Sequence, residues 1–238
     1  YASSSSYDIK NFIVKAKGVK FIKVADAIVF PSSAVTILPE ATIKTLENAR
    51  ILANRDSCFH KFYDASVDIF GARRYSGSAD YEYYDRLDSM QMLHFSSISV
   101  NSDYQTVASG DIKEDDLFKL SPEFLYFGKV FLNAPLKNLE FDGYTKIGHL
   151  CENRLQSYWL QFKSVIDPDS IVISIGNTPV YNEFRKLTSC IYLTADSMGV
   201  YPSFLTTKRR INDIPVLEAN GLLTYNLKTG YYEITDSS

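Results

Sequence analysis

Tyrosines and carboxylates interleave over one short stretch, Asp80-Tyr81-Glu82-Tyr83-Tyr84-Asp85, followed by Asp88. A Tyr ring stacks on the apolar face of a sugar, and a carboxylate accepts hydrogen bonds from its hydroxyls. Paired carboxylates are also the acid and base of glycosidic cleavage. These seven residues form the candidate ligand site, with a glycan as the candidate ligand. The plainer alternative is a solvated acidic loop whose tyrosines pack down on the body of the fold.

Two further acidic groups invite the same question. Asp64 and Asp68 lie four apart on a strand-like segment, which places them on one side. Asp111, Glu114, Asp115 and Asp116 form an acidic turn, which makes calcium the one cofactor worth testing. That turn lacks the alternate-position spacing of an EF-hand loop, and the expectation is no cofactor and no metal site.

Other chemistry is not signalled. The chain has no Gly-rich phosphate cradle, no G-x-S-x-G elbow, no H-E-x-x-H and no C-x-x-C. His60, His94 and His149 lie far apart, as do Cys58, Cys151 and Cys190. Three widely spaced cysteines make neither a disulfide framework nor a zinc site. No residue is assigned a catalytic role, and the reading leans away from an enzyme.

The elements that must position these residues are strands. Of 238 residues, 17 are Tyr and 15 are Phe, while Met and Trp are scarce. Aromatic and β-branched side chains favour a pleated surface. The net charge of -3 arises from 25 basic and 28 acidic residues spread along the chain, with no basic stripe for nucleic acid. The basic runs Arg73-Arg74 and Lys208-Arg209-Arg210 read as solvated loops. No apolar run is long enough to span a membrane as a helix.

One spacing suggests a specific architecture. An Ala follows a polar residue and precedes an alternating apolar segment at Asp26-Ala27, Ser33-Ala34, Glu40-Ala41, Asn48-Ala49 and Asp64-Ala65. The Ala-to-Ala steps are 7, 7, 8 and 16. Such a step suits a short strand plus a corner, and three of them make a coil of roughly 22 residues. The expectation is an all-β fold built as a parallel β-solenoid (β-helix) over residues 1–150, with a β-rich extension over 151–238. An antiparallel β-sandwich is the alternative, and a helix over Ile43–Asn54 is a weaker competitor.

Within that frame, residues 71–92 are either an acidic, Tyr-rich excursion or a pair of long twisted strands. Strand patterning returns at Met90–Val100, and a short-strand rhythm runs from Phe124 to Ile147. Beyond it, strands are expected at Ser157–Ile166, Ile171–Ile175 and Cys190–Thr194. The closing segment Gly221–Ile234 reads as a hairpin turning at Asn226–Gly230.

The Ala-corner text, and the closing phrase Leu-x-Tyr-Asn-x-x-Thr-Gly-x-Tyr-x-Ile at 223–234, resemble large β-helix proteins of the Gram-negative cell envelope and surface. The resemblance implies a secreted or envelope setting, periplasmic or outer-membrane associated. It also implies a role as scaffold, stalk or adhesive surface. The chain starts Tyr1-Ala2-Ser3 and stops just after a strand-like segment, so it reads as a piece of something larger. The expected partners are neighbouring domains of the same protein or envelope subunits, with glycans as a further class. A polysaccharide-binding or polysaccharide-cleaving protein, and a virion or tail structural protein, are the alternative functions.

Overall fold

A computed structural model describes residues 2–40, 42–54, 56–148, 158–175, 186–196 and 199–235. Among them the chain is all-β, with a single 3-10 turn at Glu114–Asp116 and no helix long and apolar enough to cross a membrane. It divides into two compact units. One comprises Tyr1–Tyr84, Met90–Ile112 and Lys129–Leu139; the other comprises Asp85–Ser89, Lys113–Gly128 and Glu140–Ser238.

The first unit carries β1 (Ser4–Asp8), β2 (Ile13–Lys17), β3 (Ile22–Val24), β4 (Ala27–Phe30), β5 (Val35–Ile37), β6 (Leu46–Ala53), β7 (His60–Gly71), β8 (Arg74–Tyr84), β9 (Met90–Val100) and β10 (Thr106–Ile112). A small sheet runs β1-β2-β5, and a large one runs β10-β9-β8-β7-β6-β4-β3. Every pairing in both is antiparallel.

The parallel solenoid is therefore corrected. Over residues 27–69 the strands pair antiparallel, as Ile28↔Leu52 and Ile51↔Phe62 show, in the manner of the sandwich alternative. The described alanines of the 7–8 residue step occupy different kinds of position. Ala27 closes the two-residue turn between β3 and β4, where Ala25 sits at φ 49°. Ala49 and Ala65 lie in mid-strand and are direct cross-strand partners. The polar residue before each, Asn48 at φ 51° and Asp64 at φ 46°, holds a left-handed backbone, and the β6–β7 register shifts beside it. These are β-bulges, which Asn and Asp tolerate better than most residues. The 16-residue step from Ala49 to Ala65 is a hairpin measured up β6 and down β7, Ala34 lies in the loop between β4 and β5, and Ala41 lies outside the described residues. The helix competitor also falls, since Leu46–Ala53 is β6.

Burial alternates along the long strands as a half-buried sheet requires. Phe62, Val67, Tyr75, Ala79, Phe95 and Ile98 face inward and are almost fully buried. Phe62 and Phe95 meet edge-to-face at 5.7 Å. Each such ring contributes about 2–3 kcal/mol through burial. At Gly77 an added Cβ would lie 2.0 Å from the Ser66 carbonyl oxygen, so the bulged β7 leaves room only for glycine.

Residues 71–92 hold β8, the turn at 85–89 and the start of β9, the long-strand form of the two expectations. The expected strand at Met90–Val100 is β9.

The second unit contains β11 (Lys119–Ser121), the first half of β12 (Phe124–Asn133), most of β13 (Leu139–Ile147), and β14 (Leu160–Ile166). Two three-stranded antiparallel sheets follow. One is β15-β19-β20, from Val172–Ser174, Leu222–Asn226 and Tyr231–Thr235; the other is β17-β16-β18, from Val200–Thr206, Thr188–Leu193 and Ile214–Glu218. The predicted closing hairpin is β19–β20, with Gly230 at φ 71° in the turn where only a residue indifferent to handedness is unstrained. The boundary expected near 150, together with His149 and Cys151, lies outside the described residues.

Candidate functional site

The seven predicted site residues are divided by the pleat. On β8, Tyr81 and Tyr83 point to the inner face, while Asp80, Glu82 and Tyr84 point outward. Asp85 and Asp88 belong to the turn that ends β8. Asp85 Oδ1 accepts the Leu87 and Ser89 backbone N–H groups at 2.8 and 3.0 Å, and Asp88 sits at φ 56°. These two acids build the turn. The structure does not bring the seven together as one surface.

Tyr81 packs its ring against His60, Phe62 and Phe95. His60 is fully buried. Its Nε2 lies 2.7 Å from the Leu136 carbonyl oxygen, which only accepts, so Nε2 carries the proton. Nδ1 then accepts the Tyr81 hydroxyl at 3.1 Å. Burial pulls the His60 pKa below its ordinary 6.5 and pushes the Tyr81 phenol up to about 12. The pair is neutral and holds the core together.

On the outer face, Asp80 and His94 are cross-strand partners, with Oδ1 and Nδ1 2.7 Å apart. Tyr84 donates to Glu82 Oε2 at 3.0 Å. The bulge at Asp64 interrupts the alternation of β7, so its spacing from Asp68 no longer sets a shared face. Asp68 instead accepts the Thr45 hydroxyl at 2.6 Å. In the acidic turn, Glu114 accepts the Trp159 indole N–H at 2.8 Å and Asp116 accepts the Lys113 backbone N–H at 2.8 Å. Among the described residues no group of three or more His, Cys, Asp or Glu is placed to hold a metal ion.

Three features were not singled out in the sequence. The first is a shallow depression of about 260 Å³ on the outer face of β4, β6 and β7, where Phe30, Arg50, Leu52, Lys61 and Tyr63 converge. The Arg50 guanidinium lies 5.5 Å over the Phe30 ring. These residues are scattered in sequence, and only cross-strand register collects them.

The second is a part-buried ion pair in the other unit. Arg86 reaches Glu123 through Nη2 to Oε1 and through Nε to Oε2, the latter at 3.3 Å. The Ser121 hydroxyl donates to the same carboxylate at 2.8 Å. The pair lines a cavity of about 100 Å³ with Asp169, Thr224 and Tyr225. Its carboxylate is already satisfied by two partners, which marks it as a structural clasp.

The third is the outer face of the β17-β16-β18 sheet. Leu193 pairs with Val200 and Ile214, and Ile191 pairs with Pro202 and Leu217. Ile191, Leu193, Val200, Phe204, Ile214 and Leu217 are between 40% and 68% exposed. The opposite face buries Cys190, Tyr192 and Tyr201. Asp213 fastens it, accepting the Tyr201 hydroxyl at 2.7 Å, and this bond holds the Asp213 carboxyl below the usual carboxylate range. Alternation along β16 and β17 thus gives one buried face and one apolar face open to solvent, while β18 is exposed along its whole length.

No protein-family model matches the chain, no curated protein matches it, and no solved structure matches it.

Proposed function

We propose that this chain is a structural interaction module that docks a neighbouring domain or subunit through the open face of β16, β17 and β18. The observation that supports the reading is the contiguous apolar surface formed by Ile191, Leu193, Val200, Phe204, Ile214 and Leu217. A soluble surface seldom gathers six large apolar side chains on one sheet face unless a partner covers them. Covering them removes apolar area from water at about 25 cal/mol per Å². The extracellular or cell-envelope setting rests on the resemblance of the closing hairpin phrase and is proposed with it.

Hydroxyl-radical footprinting tests the docking face. Ile191, Leu193 and Phe204 should be reactive in the dilute purified chain and protected in the native assembly. A Val200→Glu/Leu217→Glu variant should keep the fold, by near-UV dichroism, and lose that protection. Equal reactivity in both states sinks the reading.

A polysaccharide-binding role is the second reading. The observation that favours it is the basic, aromatic depression on the other unit.

A further inference from the structure

We propose that the depression on the outer face of β4, β6 and β7 binds an acidic polysaccharide, with a uronate carboxylate received by Arg50 and Lys61. The proposal does not depend on the docking face and develops the second reading.

Charge complementarity comes first. None of the residues lining the depression is acidic, and two are basic. Among the described residues neither Arg50 nor Lys61 makes an ion pair. On the neighbouring β8, Asp80, opposite Tyr63, contacts His94 at 2.7 Å, and Glu82 takes the Tyr84 hydroxyl at 3.0 Å. Among the described residues the lining therefore offers two cations with no acid within ion-pair distance.

Preorganisation comes next. Arg50 and Phe30 are cross-strand partners, and the guanidinium lies 5.5 Å over the ring. A guanidinium engaged with a ring on one side can still offer an N–H fork to a carboxylate bidentately. Lys61, whose cross-strand partner is Leu52, adds a point charge beside that fork. Leu52 and Tyr63, both half-buried, leave apolar surface on which the C–H face of a sugar ring can rest.

The form of the site excludes strand addition by a peptide. β4, β6 and β7 each have a strand on both sides, so their backbone groups are already paired. An extended peptide cannot add a strand there, and recognition must run through side chains alone. A depression of about 260 Å³ is below the range of enclosed pockets for drug-sized ligands, roughly 300–1,000 Å³. It fits part of a polymer lying across the sheet.

Isothermal titration at fixed ionic strength tests this with polygalacturonate, its fully methyl-esterified form and polyglutamate. Polygalacturonate should bind, and esterification should weaken binding by at least about tenfold. Arg50→Ala should lose a similar factor, and Arg50→Lys should recover little of it because the charge returns without the fork. Asp80→Ala, which removes a neighbouring negative charge, should bind at least as tightly as wild type. Lys61→Ala gives a second reading should Arg50→Ala lower the melting temperature. Absence of polygalacturonate binding overturns the proposal. So does equal binding of polyglutamate, which would mark the site as a general polyanion or acidic-peptide surface, and so does unchanged affinity in both Arg50→Ala and Lys61→Ala.

Discussion

Asp26 accepts two groups of Thr106, a residue 80 positions away: the backbone N–H at 3.0 Å and the hydroxyl at 2.6 Å. The Thr106 oxygen in turn lies 2.6 Å from the buried Tyr75 hydroxyl, which donates to it. Burial raises the Tyr75 phenol pKa, so that proton stays in place. A turn acid, a strand start and a core tyrosine thus form one chain of hydrogen bonds.

Asp26→Ala should therefore destabilise the chain by about 3 kcal/mol, because it strands a buried hydroxyl and a buried N–H together. Thr106→Val should cost a comparable amount, and the double variant should cost clearly less than the sum. Urea denaturation reads all three. Additive losses would show that the residues do not act as one network.

The facing pair Ala49 and Ala65 leaves no room at the paired bulges, and both are fully buried. Ala49→Leu should cost about 1–3 kcal/mol by overpacking. Ala34→Leu, at a half-buried loop position that shares the polar-Ala phrase, should cost little. Equal melting temperatures for the two variants would refute the distinction between bulge and loop.

His60 makes stability depend on pH with a definite sign. Its folded pKa lies below 6.5, so as pH falls through that value the unfolded chain takes up a proton that the folded chain resists. The contribution is fully present above pH 6.5 and is lost progressively below it. The denaturation midpoint should fall between about pH 7.5 and about pH 5.5, and His60→Gln should flatten that part of the profile. A wild-type slope retained in His60→Gln would assign the dependence to other groups.

Removing one partner of the Arg86–Glu123 pair leaves the other largely buried, with side-chain exposures of 19% and 12% in the intact pair. Glu123→Gln should cost about 3 kcal/mol, and adding Arg86→Met should recover part of that loss. A guanidinium-chloride series on the single and double variants decides it. A double variant weaker than Glu123→Gln would show that Arg86 has a role apart from its partner.

What sequence alone determined is local. Alternation and aromatic content specify strands, and β9 at Met90–Val100 and the β19–β20 hairpin with its turn at Asn226–Gly230 are legible because their signals lie within one short window. The polar-Ala phrase was visible too, but its meaning was not. A left-handed residue before a small one serves a solenoid corner and a β-bulge equally, and only the pairing of Ala49 with Ala65 separates them. The Tyr-carboxylate run was likewise visible, yet the pleat sends Tyr81 inward and Glu82 outward, and the turn takes Asp85. The depression at Phe30, Arg50, Lys61 and Tyr63 has no sequence signal, since cross-strand register brings together residues that no spacing links. The apolar face of β16–β18 was hidden for a related reason: a strand shows that its faces differ, and only tertiary packing decides which face is covered.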